Sequence, residues 1–195
     1  MYIDLTLKVD KDSPIVQWAL SQDNPHMAMG HVGTHLDTYE KTVIPLEYFC
    51  SSAHLFEVMD LAEVGVEDID LTKVKKHSFV LFRTGQIERY PHGDPRYFND
   101  HPQLSPSLID CLIAKQVRFI GIDAPGIRNH AQHEIADRQC EKHGIYVIEN
   151  LINLDKLTCD EPLVYTMWLD DEKMTGLKCR VIATCKDDEN SVKTL

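Results

Sequence analysis

Residues 29–37 read MGHVGTHLD, a stretch that places two histidines four residues apart and an aspartate two residues further on. Imidazole nitrogens and carboxylate oxygens are ligands for zinc and similar divalent ions. On a straight strand His31 and His35 would lie about 13 Å apart, and on a helix Asp37 would point away from both histidines. A turn at residues 33–34 removes both difficulties, because glycine lets the chain double back. The spacing therefore predicts a metal site on a kinked loop; the alternative is a polar loop with hydrogen-bonded histidines.

The rest of the chain has the pattern of one β-rich α/β domain that spans residues 1–195. Short apolar runs predict strands at residues 2–7, 54–61, 78–84, 117–123, 145–148, 162–169 and 179–185. Ser105 and Pro106 mark the start of one helix, and a second is predicted from about residue 130 to residue 143. Few helices among many strands favour a mixed sheet over a regularly alternating parallel fold.

The charge balance and the hydropathy of the chain argue against several classes of partner and location. The chain has 20 basic and 31 acidic residues and a net charge of −11 at pH 7, which argues against nucleic acid and anionic membranes as partners. No apolar run reaches the roughly 18 residues of a membrane span, and no signal peptide is recognisable. The six cysteines form no C-x-x-C pair, so we expect reduced thiols in a cytoplasmic protein. A polar tail is expected from about residue 187.

A second group of candidate ligands lies downstream. His133 and Asp137 are four residues apart on the second predicted helix and share one face of it. Glu149 follows the apolar run that ends at residue 148, so its carboxylate is expected to be half buried and to need a cation or hydrogen-bond donors. For His133 and Asp137 a solvated helix face is the alternative.

These residues resemble the cyclase family of metal-dependent hydrolases, which includes bacterial kynurenine formamidase and isatin hydrolase. The family signature is HxGTHxDxPxH, and residues 31–41 read HVGTHLDTYEK. Further blocks resemble the family in the same order: DLT at 4–6, LFRTG at 81–85, GID at 121–123 and ENLINL at 149–154. The resemblance implies a swivelling β/β/α fold and a homodimer or homotetramer.

The resemblance also implies a set of metal ligands. His31, His35 and Asp37 match the first ligands of the family, and Glu149 matches a ligand in the ENL block. The family commonly has a histidine twelve residues before that glutamate, where this chain has Asp137. One or two divalent ions are expected, zinc before manganese, with Asp37 as the natural bridge between two ions. His133, one helical turn before Asp137, is an alternative source of the missing imidazole.

Two positions depart from the family signature. Tyr39 replaces its proline, and Lys41 replaces its last histidine, which is thought to handle protons. A lysine is a cation at neutral pH unless burial beside a metal lowers its pKa. Lys41 is therefore expected to transfer protons, to stabilise an oxyanion, or to be a surface residue beside Glu40.

The leading functional hypothesis is hydrolysis of an amide or related non-peptide C–N bond by metal-activated water, with a small molecule as substrate. Glu149, His133 and Lys41 are the candidate catalytic residues, and arylformamidase activity on N-formylkynurenine is the best-known reaction of the family. Three aromatic residues are candidates for a substrate wall or for the core: Trp18, Tyr39 and Phe49. The alternatives are a non-catalytic metal or small-molecule binding protein and a structural oligomer without an ion.

Overall fold

The computed structural model of the chain describes residues 1–185. Within them there are ten strands: β1 Tyr2–Asp4, β2 His35–Asp37, β3 Cys50–Glu57, β4 Glu63–Val64, β5 Phe79–Arg83, β6 Gln103–Leu104, β7 Phe119–Ile122, β8 Tyr146–Glu149, β9 Leu163–Trp168 and β10 Gly176–Thr184. The same residues form six α-helices: α1 Pro14–Leu20, α2 Pro25–Gly30, α3 Gln86–Arg89, α4 Pro95–Asn99, α5 Pro106–Lys115 and α6 His133–Glu141. Five short 3₁₀ turns complete the description: Leu46–Phe49, Val66–Asp68, Leu71–Lys73, His130–Gln132 and Leu154–Lys156.

Seven of the strands close into a barrel. Their order is β10-β2-β8-β7-β5-β3-β9, and β9 pairs with β10 to complete the ring. The strands β3, β5, β7 and β8 run parallel to one another, whereas β2, β9 and β10 join them through antiparallel pairings. The barrel confirms the expected mixed, β-rich α/β class with few helices.

The core has two apolar layers, one on each side of the parallel strands. On β5, Phe79 and Leu81 belong to the layer shared with β8 and β10, whereas Val80 and Phe82 belong to the layer that α5 and α6 cover. Side chains alternate between the two faces of a strand, so a strand buried on both faces is apolar throughout. This is why the run at 79–82 has no polar member.

The elements with strong local signals lie where the sequence predicts them. The helix α5 begins at Pro106, and the Ser105 hydroxyl accepts a hydrogen bond from the backbone N–H of Leu108. The first strand is shorter than predicted and ends at Asp4. The helices α1, α2, α3 and α4 were not predicted, because segments of four to seven residues are too short to show a helical period.

The expectation of six reduced cysteines is wrong. Cys159 and Cys185 form a disulfide, while the other four cysteines are free thiols. Antiparallel pairing of β9 with β10 sets Leu163 beside Thr184, which brings the two cysteines together although 26 residues separate them in the chain. Nothing in their spacing indicated this contact.

No helix within residues 1–185 combines the length and the apolar character that crossing a bilayer requires. The polar tail expected from about residue 187 lies outside the described residues.

The turn between α2 and β2 depends on Gly33. Its φ is +82°, a left-handed conformation that side chains rarely adopt, and a β-carbon there would lie 2.7 Å from Val9 Cγ2. Glycine is therefore required twice, by the backbone angle and by the lack of space. This turn is what sets His31 and His35 on the two sides of one bend.

We expect Gly33→Ala to lower the free energy of unfolding by about 1–3 kcal/mol, because it combines backbone strain with a steric overlap. Gly65→Ala is the matched control, since Gly65 has an extended backbone and only the flexible end of the Glu67 side chain nearby. Urea unfolding measures both values. Equal stabilities of the two variants would contradict the role assigned to this turn.

Candidate metal centre

Four separate elements supply the titratable groups of the centre. His31 follows the last residue of α2, and His35 and Asp37 are the two ends of β2. In the sheet His35 pairs directly with Glu149, the last residue of β8. His133 and Asp137 lie on α6, which packs beside β8. The closed sheet thus joins residues from opposite ends of the chain.

His31, His35 and Asp37 form the first half of the centre. His31 Nδ1 lies 3.1 Å from His35 Nε2, and the two rings meet edge to face. Asp37 Oδ1 lies 3.3 Å from His31 Nδ1 and 3.4 Å from His35 Nε2. Three ligand atoms that converge in this way could hold one metal ion.

The second half shares Asp37 with the first. Its other members are His133, Asp137 and Glu149, and together the four residues could hold an ion. His133 Nε2 lies 3.1 Å from Asp137 Oδ2, 3.4 Å from Glu149 Oε1 and 3.7 Å from Asp37 Oδ2. Asp37 therefore places Oδ1 beside His31 and His35 and Oδ2 beside His133, which is the arrangement expected of a bridging carboxylate.

Hydrogen bonds from outside the cluster fix the orientation of the imidazoles. His35 Nδ1 lies 2.9 Å from the carbonyl oxygen of Gly33, which leaves Nε2 for the cluster. His31 Nε2 lies 2.8 Å from the hydroxyl of Thr175, which leaves Nδ1. Metal-binding histidines generally have such a partner on the nitrogen that faces away from the ion.

The carboxylates fit a cation. Both oxygens of Asp37, both oxygens of Asp137 and Oε1 of Glu149 are buried without a hydrogen-bond partner. An ionised carboxylate buried without donors is strongly destabilising. A divalent ion coordinated by oxygen and imidazole nitrogen would satisfy these atoms, and the donor set is one that zinc and manganese accept.

Burial and mutual charge interactions shift the pKa values of the residues in the cluster. Burial raises the pKa of Asp137 and Glu149 well above their usual range, and the neighbouring charge of Asp37 adds to both effects. For Asp37 burial acts in the same direction, but the charge of His35 and the polar contacts with the three nearby imidazoles outweigh it and hold the pKa well below its usual range. For His133 burial lowers the pKa, while Asp37 and Asp137 outweigh that effect and raise it to about 9.

A cavity of about 530 Å³ opens beside the centre. His31, His35, His133 and Glu149 line it on the side of the cluster. Much of the remaining wall comes from α1 and α4, which the sequence did not predict. Trp18, one of the three predicted aromatic candidates, is part of that wall. A small molecule in this cavity would therefore contact the cluster directly.

The structure does not bring Lys41 to the cluster. Its side chain is exposed, its ammonium donates a hydrogen bond of 3.3 Å to the carbonyl oxygen of Thr38, and it lines a separate groove with Asp170 and Asp171. Burial lowers its pKa, although the charges of Glu141 and Asp171 oppose that effect. The backbone φ of Lys41 is +56°, which lies in the left-handed region.

The other two aromatic candidates do not line the cavity either. Phe49 lies against Tyr165 and borders another groove. Tyr39 is half buried under the guanidinium of Arg138, which lies 5.0 Å from the centre of its ring. Burial raises the pKa of its phenol, and the charges of Asp37 and other nearby carboxylates add to the rise.

Glu141 was missed by the sequence reasoning. It is the last residue of α6, and its buried carboxylate accepts hydrogen bonds from the backbone N–H groups of Tyr39, Glu40 and Thr42 and from the hydroxyls of Thr38 and Thr42. These bonds fix the segment that follows Asp37. The only signal in the sequence is an acidic residue at the end of a helix, where the dipole disfavours it.

Asn150 was also missed as a positioning residue. Its amide nitrogen donates to the carbonyl oxygen of Gly33, and its amide oxygen accepts a hydrogen bond of 2.6 Å from the buried hydroxyl of Tyr97. Its backbone carbonyl accepts from the hydroxyl of Thr34. Asn150 thereby ties the turn before His35 to the end of β8.

Comparison with known proteins places the chain in a family. A family model described as "Putative cyclase" matches residues 3–128, which is more than half of the chain. The chain belongs to the cyclase family. The match includes the histidine turn and Asp37, so the predicted resemblance is confirmed.

Curated relatives match part of the chain. Kynurenine formamidase of Bacillus thuringiensis (strain Al Hakam) is 29% identical over 132 residues, which are 63% of this chain and 61% of that protein. The kynurenine formamidase of Bacillus cytotoxicus matches to the same extent, so the chain spans about three fifths of the length of these curated relatives.

Solved structures share the architecture over almost the whole chain. Isatin hydrolase A from Labrenzia aggregata, bound to benzyl benzoate, has a TM-score of 0.73 and 20% identity, covering 94% of this chain and 93% of that one. A structure described as a potential metal-dependent hydrolase with cyclase activity has the same TM-score and 21% identity, covering 94% of this chain and 96% of its own. The expected cyclase-family fold is confirmed.

We expect metal binding to release protons. In the metal-free protein the pKa of about 9 leaves His133 protonated at pH 7, and the raised pKa values of Asp137 and Glu149 favour their protonated forms, so a cation must displace protons. Affinity should therefore rise with pH up to about pH 9, by about tenfold per pH unit for each proton released. Competition with a chromophoric chelator at several pH values measures the slope, and calorimetry in two buffers counts the protons. An affinity for zinc that is constant from pH 6 to pH 9 would contradict this expectation.

Proposed function

We propose that this protein is a metal-dependent hydrolase that cleaves the amide or related C–N bond of a small aryl substrate. The observation that carries the proposal is a cluster of histidines and carboxylates beside one cavity. His31, His35, His133 and Glu149 line that cavity, and the buried carboxylate oxygens of the cluster have no hydrogen-bond partner. The kynurenine formamidases and isatin hydrolase A among the relatives support the class of reaction.

The two halves of the centre would hold one or two divalent ions. His31, His35 and Asp37 would hold the first ion, and Asp37, Asp137, Glu149 and His133 the second. A divalent cation there acidifies water and polarises a carbonyl group. The mixed nitrogen and oxygen donors favour zinc and also suit manganese.

The chain's own groups would handle the protons. Glu149 lines the cavity, and its Oε1 is buried without a partner, so this oxygen would accept the proton of the attacking water. With only the first ion bound, Nε2 of His133 would be free of metal, and it lies 3.4 Å from the same carboxylate, so it would pass the proton to the leaving nitrogen. Lys41 is not among the groups that we propose to touch the substrate, because it lines another groove.

Assembly and location remain predictions. A homodimer or homotetramer would cover apolar side chains that the single chain leaves exposed, such as Val43, Leu46 and Leu169. A cytoplasmic location rests on the sequence, and the Cys159–Cys185 disulfide does not support it, since reducing compartments disfavour such bonds.

A non-catalytic binding protein on the same scaffold is the second candidate. The position of Lys41 favours it, because the residue that replaces the family's proton-handling histidine lines a different groove and bonds to its own loop. Metal analysis combined with a panel of formanilides, cyclic amides and lactones separates the two functions. Turnover of any member by the metal-loaded protein supports the hydrolase, whereas bound metal without turnover supports the binding protein.

We expect His35→Ala to weaken metal binding at least about 100-fold and to abolish hydrolysis, because it removes a ligand from the first half of the centre. His35 is buried but lies outside both apolar layers, so the metal-free variant should still fold and show a cooperative thermal transition. His143→Ala, at an exposed residue after α6, is the control. Unchanged metal content in the His35 variant would overturn the ligand assignment.

We expect Lys41→Ala to keep kcat/KM within about twofold of the parent, because the ammonium of Lys41 bonds to its own loop and not to the cavity. Steady-state kinetics across a pH series measures this. A loss of more than about tenfold, or a shifted pH profile, would show that Lys41 reaches the substrate and would restore its predicted catalytic role.

A further inference from the structure

The wall of the 530 Å³ cavity away from the cluster is almost wholly apolar. It is built from the first and fourth helices and from one loop, by Pro14, Ile15, Trp18, Pro95, Phe98 and Pro125. Aromatic and proline rings of this kind bind a flat aryl group by apolar contact. No lysine or arginine from residues 1–185 lines the cavity.

Most polar side chains that line the cavity already have a partner. The amide oxygen of Asn150 accepts a hydrogen bond from the hydroxyl of Tyr97, and its amide nitrogen donates to the carbonyl oxygen of Gly33. The outward nitrogen of His31 lies against the hydroxyl of Thr175. The remaining polar side chains, His35, His133 and Glu149, belong to the candidate ion ligands.

A charged substituent on the substrate would therefore be left without a partner. A carboxylate on the aryl ring that packs against this apolar wall would lose part of its hydration, and the lining has no lysine or arginine to receive it. An unpaired buried group of this kind discriminates strongly between otherwise similar ligands. We propose that the cavity selects uncharged aryl substrates and that the wall of Ile15, Trp18 and Phe98 rejects those with a carboxylate on the ring.

This inference rests on the proposed hydrolase function and narrows its substrate class. N-Formylkynurenine carries an ammonium and a carboxylate on its side chain, so it lies outside the class of uncharged substrates. Uncharged formanilides and lactams fall in the accepted class. The chain would thus differ in specificity from a formamidase that acts on an amino acid derivative.

Two formanilides of nearly equal size test the selection by turnover. One carries a 4-isopropyl group and the other a 4-carboxylate, and both have the same scissile bond. With the zinc-loaded protein at pH 7.5, we expect kcat/KM for the isopropyl compound to be at least about tenfold higher. Equal values, or a preference for the carboxylate, would overturn the proposal.

Binding of two analogues that resist hydrolysis gives a readout independent of turnover. N-(4-isopropylphenyl)methanesulfonamide should bind at least about tenfold more tightly than 4-(methanesulfonamido)benzoate in calorimetric titrations. If neither formanilide is hydrolysed but the uncharged analogue binds preferentially, the hydrolase function fails and the selection stands. If neither analogue binds, or both bind equally, the selection fails.

A charge added to the wall should reverse the selection. We expect Ile15→Lys to raise the relative kcat/KM for the carboxylate substrate at least about fivefold, since it supplies the missing partner. Leu20→Lys is the matched control, because Leu20 is exposed on the same helix and does not line the cavity. Pro95→Lys, at an exposed position of the wall, replaces Ile15→Lys if that variant does not fold. A relative gain as large in the control as in the wall variants would overturn the proposal.

Discussion

A buried carboxylate surrounded by imidazoles and further carboxylates is the constraint on which the rest of this structure depends. Asp37 is only 2% exposed, and neither of its oxygens has a hydrogen-bond partner. Asp137 and Glu149 are buried in the same place, and three carboxylates cannot all ionise together without a cation. In the metal-free protein the raised pKa values of Asp137 and Glu149 favour their protonated forms, which lowers the repulsion. The geometry of the cluster is suited to a metal ion in place of those protons.

The strand order of the barrel positions the residues of this cluster. The short strand β2 lies between β8 and β10, and its pairing with β8 sets His35 beside Glu149. The turn at Gly33 brings His31 close to His35. The helix α6 covers β8 and delivers His133 and Asp137 from one face. Most of the candidate ligands therefore lie on strands of the sheet and on the helix that packs against it, and not on a loop.

The sequence predicted the parts of the site that follow from residue spacing or from the cost of burying a charge. The spacing of His31, His35 and Asp37 required a bend, and Glu149, a carboxylate after an apolar strand, required a cation or hydrogen-bond donors. Lys41 was placed by analogy alone, and local contacts around Glu141 direct it elsewhere. The apolar wall could not be predicted, because its helices are too short for a periodic signal, and the disulfide could not, because it depends on strand pairing.

Anomalous scattering from crystals of the zinc-loaded protein tests the central claim most directly. We expect at least one zinc peak within about 2.3 Å of an Asp37 oxygen, His31 Nδ1 and His35 Nε2, and a second peak, if two ions bind, on the other side of Asp37 near Glu149. Zinc peaks only elsewhere on the protein, with Asp37 and Glu149 free of metal, would contradict the assignment of this cluster as a metal centre.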